Sequence, residues 1–269
     1  MLPKKTVMRY LTKSKFEYLL EDKGIYVSAA CDQSDKHEGD YDHCYLSNHL
    51  RNEVDCDEEL LEKVDEMMLG SKKVGRETTY LSCWYCSDEE SPQMWKDYGT
   101  DGVIIFSTDL ALEYALPEPL NQTTKFYELT YNDQLKPQAN QQPFRVKNEC
   151  FKHEKEFRVE FNLLEYSILT GFEARNEVRI GGVLSHECDD ITSCMSPAAR
   201  AQSHHVIRRK NKGYVLAYPL AKIIHEVRLH PNASDEDLRK VRAALKARGI
   251  DCTVNHSTLR GLVTEQDPA

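Results

Sequence analysis

The chain has 269 residues, 40% of them hydrophobic and 29% charged, with a formal net charge of −9. That length can bury a substantial core and the composition is that of a globular protein, which excludes a disordered chain. The acidic balance excludes a general affinity for nucleic-acid backbones, and no apolar run is long enough to cross a bilayer.

Residues 6–12 (TVMRYLT) are β-branched and aromatic and predict a strand. Ser14 is placed to cap a short helix over 15–22, with Phe16, Leu19 and Leu20 on one face and Gly24 as its left-handed terminator. A second strand is expected over 25–30. The acidic, His-containing stretch 32–49 reads as a polar loop with a little helix. Leu60, Leu61, Val64, Met67 and Met68 predict a helix over 57–69, ended by Gly70 and followed by a charged connector, 72–77. Then come a strand over 80–86, a helix over 91–98 capped by Ser91 with Pro92 at its first position, and an apolar strand over 103–107. A helix over 109–116 ends at Pro117 and Pro119.

Residues 126–131 are strand-like, and 132–143 form a loop rich in Gln, Asn and Pro. The stretch 150–156 reads as helical and runs into a strand, 157–162, where Phe157, Val159 and Phe161 alternate. Residues 165–213 show no clear period. The chain closes with a strand over 223–229, a helix over 234–248 capped by Ser234 and Asp237, Gly249 as its terminator, and a strand over 250–254. Together these elements predict an α+β (mixed α/β) fold: a central, mostly antiparallel or mixed sheet with flanking helices. One compact domain is expected over 1–269, with a strand–helix–strand unit, 223–263, packed on it.

Nine cysteines without framework spacing, and no signal-peptide pattern, predict reduced thiols in a cytoplasmic protein. Cys83 and Cys86 form a C-x-x-C, but Cys188 and Cys194 supply no matching knuckle, so buried thiols are expected rather than zinc. The acidic residues of 32–43 match no calcium loop, and no metal is expected. The one basic run, Arg208, Arg209, Lys210 and Lys212, could touch nucleic-acid phosphates or be a solvated loop.

Two segments stand out. The first contains Ser91, Met94, Trp95, Tyr98 and Gly99, then Gly102, Val103, Ile105, Ser107 and Thr108. The second is Phe151-Lys152-His153-Glu154-Lys155-Glu156-Phe157-Arg158. Glu154 and Glu156 at the start of a strand place two carboxylates near each other, which shifts their titration unless a cation or ligand is close. These segments resemble the prokaryotic family called "domain of unknown function 2971". The opening resembles it too: Arg9-Tyr10-Leu11-Thr12, a short helix, then Ile25-Tyr26-Val27-Ser28.

In their order along the chain, Arg9, Ser107-Thr108 and Glu154-x-Glu156 also resemble the Arg, Ser-Thr and Glu-x-Glu marks of arginine-type ADP-ribosyltransferases. That resemblance implies NAD as co-substrate and a protein or nucleic-acid target, in a bacterial conflict or anti-phage role. It implies catalytic roles for Glu156, Glu154 and Ser107. Arg9 would clamp the diphosphate with Thr108 nearby, and Tyr10, Tyr26, Trp95 and Tyr98 would form the cofactor's aromatic surroundings. Two other readings stand beside it: a nuclease-type effector joining acidic residues to the basic run, and a non-enzymatic sensor or interaction module in which Trp84, Trp95 and Tyr98 are binding or core residues.

Overall fold

The computed structural model describes residues 4–133, 142–173, 177–180, 184–187 and 197–261. Most of the 132–143 loop, the Gly181-Gly182 pair, and Cys188 and Cys194 lie outside them. In chain order the elements are β1 (Thr6–Leu11), α1 (Lys13–Asp22), β2 (Gly24–Ala29), α2 (Tyr45–Glu53), α3 (Glu58–Thr78), β3 (Thr79–Cys86), α4 (Pro92–Tyr98), β4 (Val103–Thr108) and α5 (Asp109–Ala115). There follow β5 (Thr124–Glu128), β6 (Thr130–Tyr131), β7 (Val146–Lys147), β8 (Glu156–Asn162), α6 (Leu163–Thr170), β9 (Glu177–Ile180), β10 (Leu184–Glu187) and α7 (Pro197–Ser203). The last are β11 (Ile207–Lys210), β12 (Gly213–Ala217), α8 (Leu220–Ile223), β13 (Glu226–Leu229), α9 (Asp235–Lys246) and β14 (Thr253–His256).

The fold is α+β, as its sequence pattern predicts. Among the described residues, ten strands form one mixed sheet in the order β11-β12-β2-β3-β1-β4-β13-β14, with β8 and β5 continuing from β3. Within it only β13 and β14 run parallel, because α9 carries the chain back between them. No described helix is long and apolar enough to cross a membrane.

Several element ends differ from their sequence signals, each for a local reason. Thr12 rather than Ser14 caps α1, its hydroxyl accepting the Lys15 N–H at 3.4 Å. Lys23, at φ 51°, takes the left-handed position expected of Gly24. Gly24 instead begins β2, where an added Cβ would lie 2.3 Å from the Leu216 carbonyl oxygen of β12. Helix α3 runs through Gly70 to Thr78, absorbing the expected charged connector. Lys72 and Arg76 on that extension donate to the Tyr41 and Lys36 carbonyls of the acidic segment. β14 starts three residues beyond its expected beginning, while α9 has the predicted Ser234–Asp237 capping box.

The sheet separates two cores. On one face Val7, Leu11, Trp84, Ile105, Phe157, Val159 and Phe161 join Phe16, Leu19 and Leu20 of α1. On the other, Met8, Tyr10, Tyr85, Ile104 and Phe106 pack with Met94 and Trp95 of α4.

Candidate functional site

Strand β3 has three partners, and this makes the site. Along one edge it pairs with β8 from Thr79 to Tyr85. Along the other, β2 takes only Tyr80 and Leu81, and β1 takes only Tyr85 and Cys86. Between these contacts β1 and β2 part, and a cavity of about 740 Å³ opens, lined by Arg9, Tyr26, Cys83, Trp84, Tyr98, Lys147, Glu154 and Glu156, among others. That volume is of the size that holds small-molecule ligands.

Arg9 enters from β1. Its register places it on the face of Val7 and Cys86, and its guanidinium lies 5.7 Å from the centre of the Trp84 ring. One nitrogen donates to the Tyr26 carbonyl at 3.2 Å. Among the described residues no carboxylate pairs with it. Burial pulls its pKa down to about 10, so it still carries its charge at neutral pH. A guanidinium has five N–H donors, and most of these are left for a ligand.

Glu156 comes from the other face, sharing the side of Tyr85 and Cys83 through the β3–β8 register. It is 2% exposed. Arg158 Nε donates to Oε1 at 2.7 Å and Lys147 Nζ to Oε2 at 3.1 Å. Burial would raise this carboxyl, but Arg158, Lys147 and the adjacent Cys83 thiol hold it at about 2, so it is ionised. Lys147 also donates to Glu154 Oε2 at 2.7 Å, and the Tyr98 hydroxyl donates to Glu154 Oε1 at 2.5 Å. Glu154 closes a short 3-10 turn, and Lys155, at φ 37°, swings the chain into β8 so that both carboxylates meet one ammonium.

Behind Glu156, Arg158 is fully buried and forks onto Glu38, at 2.6 and 3.0 Å, with the Phe144 carbonyl at 2.8 Å. Glu38 belongs to the acidic stretch expected to be a polar loop. It turns inward because Gly39 is left-handed at φ 70° and the Phe144 ring lies 2.1 Å from where a Cβ would stand. The result is a buried line of alternating charge: Glu38, Arg158, Glu156, Lys147, Glu154.

The residues singled out in the sequence divide sharply. Arg9, Tyr10, Tyr26, Tyr98, Glu154 and Glu156 all line the cavity. Ser107 and Thr108 do not, which corrects their expected place beside the Glu-x-Glu. β4 pairs with β1 and β13, whereas the neighbour of β8 on this side is β3. Ser107 is buried with no hydrogen-bond partner among the described residues, and Thr108 Oγ1 accepts the Ala111 N–H at 3.1 Å as the cap of α5. Trp95 is corrected likewise. It is 1% exposed under α4, edge-on to Tyr10 and His230, with its Nε1 donating to Glu90.

The basic run is a strand end whose cations are matched. Arg208 and Lys210 bind Asp22, Arg209 lies 3.9 Å from Glu173, and Lys212 lies 4.0 Å from Asp32. Of the run, only Lys210 lines the cavity.

Cys83 and Cys86, three apart on a strand, project to opposite faces and cannot share a metal. The Cys83 thiol is open to the cavity yet ringed by protein. Burial and then Glu156 raise its pKa well above the ordinary thiol value, so it is a neutral neighbour of the carboxylate. Sequence reading missed Cys83, Glu38, Lys147 and Arg158 as site groups. A signal for Arg158 existed: Glu156, Arg158 and Glu160 alternate with Phe157, Val159 and Phe161, so a strand buried on both faces must hold compensated charges. Lys147 and Glu38 sit in aperiodic segments and carried none. No family model, no curated protein and no solved structure matches the chain.

Proposed function

We propose that this chain is an ADP-ribosyltransferase-like enzyme that binds NAD in the cavity and transfers its ADP-ribose to a protein or nucleic-acid target. One observation carries the reading: a guanidinium with no counter-charge among the described residues and a carboxylate held ionised line the same NAD-sized space. Arg9 offers free, forked donors to a diphosphate. The Tyr26 and Tyr98 rings offer apolar faces to a planar base. Glu156 keeps its negative charge at any physiological pH and would stabilise the positive charge that develops on the ribose carbon as nicotinamide leaves. Arg158 and Lys147 fix the orientation of that carboxylate, so no reorganisation is needed at the moment of reaction. Cys83, on the neighbouring strand, occupies the place beside Glu156 that sequence order suggested for Ser107.

Release of nicotinamide from NAD tests this. The wild-type chain should liberate it, and Glu156→Gln, which keeps the shape and an oxygen for Arg158, should slow release by about 100-fold or more. Release at the wild-type rate by a folded Glu156→Gln chain would contradict the assigned role.

A further inference from the structure

The position of Lys147 bears on which acceptor the site can take, given the NAD reading on which this inference rests. Its side chain is 8% exposed, and its ammonium spans Glu154 and Glu156, two of the carboxylates that line the cavity, at 2.7 and 3.1 Å. The ammonium also lies over the Phe151 ring, with Nζ 4.6 Å from the ring centre. Glu156 is neutralised a second time by Arg158. An incoming guanidinium or ammonium acceptor would therefore meet a resident cation at the reacting end of the cavity, and could reach Glu154 or Glu156 only by displacing it. An anionic acceptor would meet Glu154 and Glu156 themselves.

We infer that the acceptor is an uncharged hydroxyl group, and that Glu154 receives its proton. Glu154 suits that task. It lines the cavity, and among the described residues its Oε1 accepts only from the hydroxyl of Tyr98, a residue on the cavity wall that is itself 38% exposed. As the acceptor oxygen bonds to the ribose C1′, the bond from C1′ to the nicotinamide nitrogen breaks. Its electron pair leaves with neutral nicotinamide, and the hydroxyl proton passes to Glu154. A cationic acceptor would also have to give up a proton on attack, and it would need these two carboxylates free to hold its charge.

The test supplies wild-type protein and NAD with two small acceptors in parallel, methanol and the guanidino compound agmatine, and reads products by mass spectrometry. The expected products are ADP-ribose and its O-methyl glycoside, with any agmatine adduct forming at least about 100-fold more slowly per molar acceptor. A dominant agmatine adduct would overturn this inference while leaving the NAD reading intact. No consumption of NAD with either acceptor would overturn both. A folded Lys147→Gln chain should gain agmatine transfer, and failure to gain it would remove Lys147 from the selection.

Discussion

At the scale of single residues, the cavity holds groups that stability alone would not place there. Arg9 is desolvated enough for burial to lower its pKa to about 10, and among the described residues no acid pairs with it. Arg9→Met keeps an aliphatic side chain beside Trp84 and removes the charge. It should raise the thermal midpoint of the free protein by a few degrees while abolishing the further rise that NAD produces in wild type. A lowered midpoint with the NAD shift retained would mean that Arg9 is structural. Ser107→Ala makes the opposite kind of point. The hydroxyl is buried without a partner, so its removal should be neutral or stabilising by up to about 1 kcal/mol in urea unfolding, with nicotinamide release unchanged. Arg9, Glu154 and Glu156 were legible because each is a charge in or beside a strongly apolar strand, an anomaly visible within a few residues. Ser107 misled because proximity to Glu156 depends on which strand lies beside β8, and that pairing joins residues some seventy positions apart.

At the scale of elements, two glycines should respond in opposite directions. Gly24 lets β2 approach β12 so closely that an added Cβ would meet the Leu216 carbonyl at 2.3 Å, so Gly24→Ala should destabilise by about 1–3 kcal/mol. Gly75 lies inside α3 with open space where a Cβ would go, so Gly75→Ala should stabilise by about 0.5–1 kcal/mol. Urea midpoints of the two variants check both, and shifts of the same sign would contradict the account. The strands from β1 to β4 and helices α4, α5 and α9 were readable because caps and periodicity are local signals. The run of α3 past Gly70 was not, since it is settled by Lys72 and Arg76 gripping the acidic segment's carbonyls across the fold. The elements between α6 and β12 also lacked a period. There the hairpin of β11 and β12 turns on Asn211, at φ 51°, and is held by tertiary partners such as Asp22.

At the scale of the whole molecule, the parting of β1 and β2 and the buried charge line are one design: the cavity exists because β3 changes partners, and Glu156 at the start of β8 lines it with Arg158 buried behind. This gives a pH dependence with a definite sign. Burial opposes ionisation of Glu156, but Arg158 and Lys147 hold its pKa at about 2, below its unfolded value of about 4.3. A carboxyl depressed in this way contributes stability that is complete above the unfolded value and is lost as pH falls through the folded one. Urea midpoints should therefore fall between about pH 4 and pH 2, and that share of the fall should vanish in Glu156→Gln. A variant whose midpoint tracks wild type over this window would show that Glu156 is not the linked group.

The most direct test of the central claim, that this cavity binds NAD through Arg9, is an equilibrium titration of NAD into the protein by calorimetry. Wild type should bind at one site per chain, and Arg9→Met should weaken binding by at least about tenfold, the loss expected for a charge-assisted contact. Binding of equal strength in both proteins, or no binding by the wild type, would contradict it.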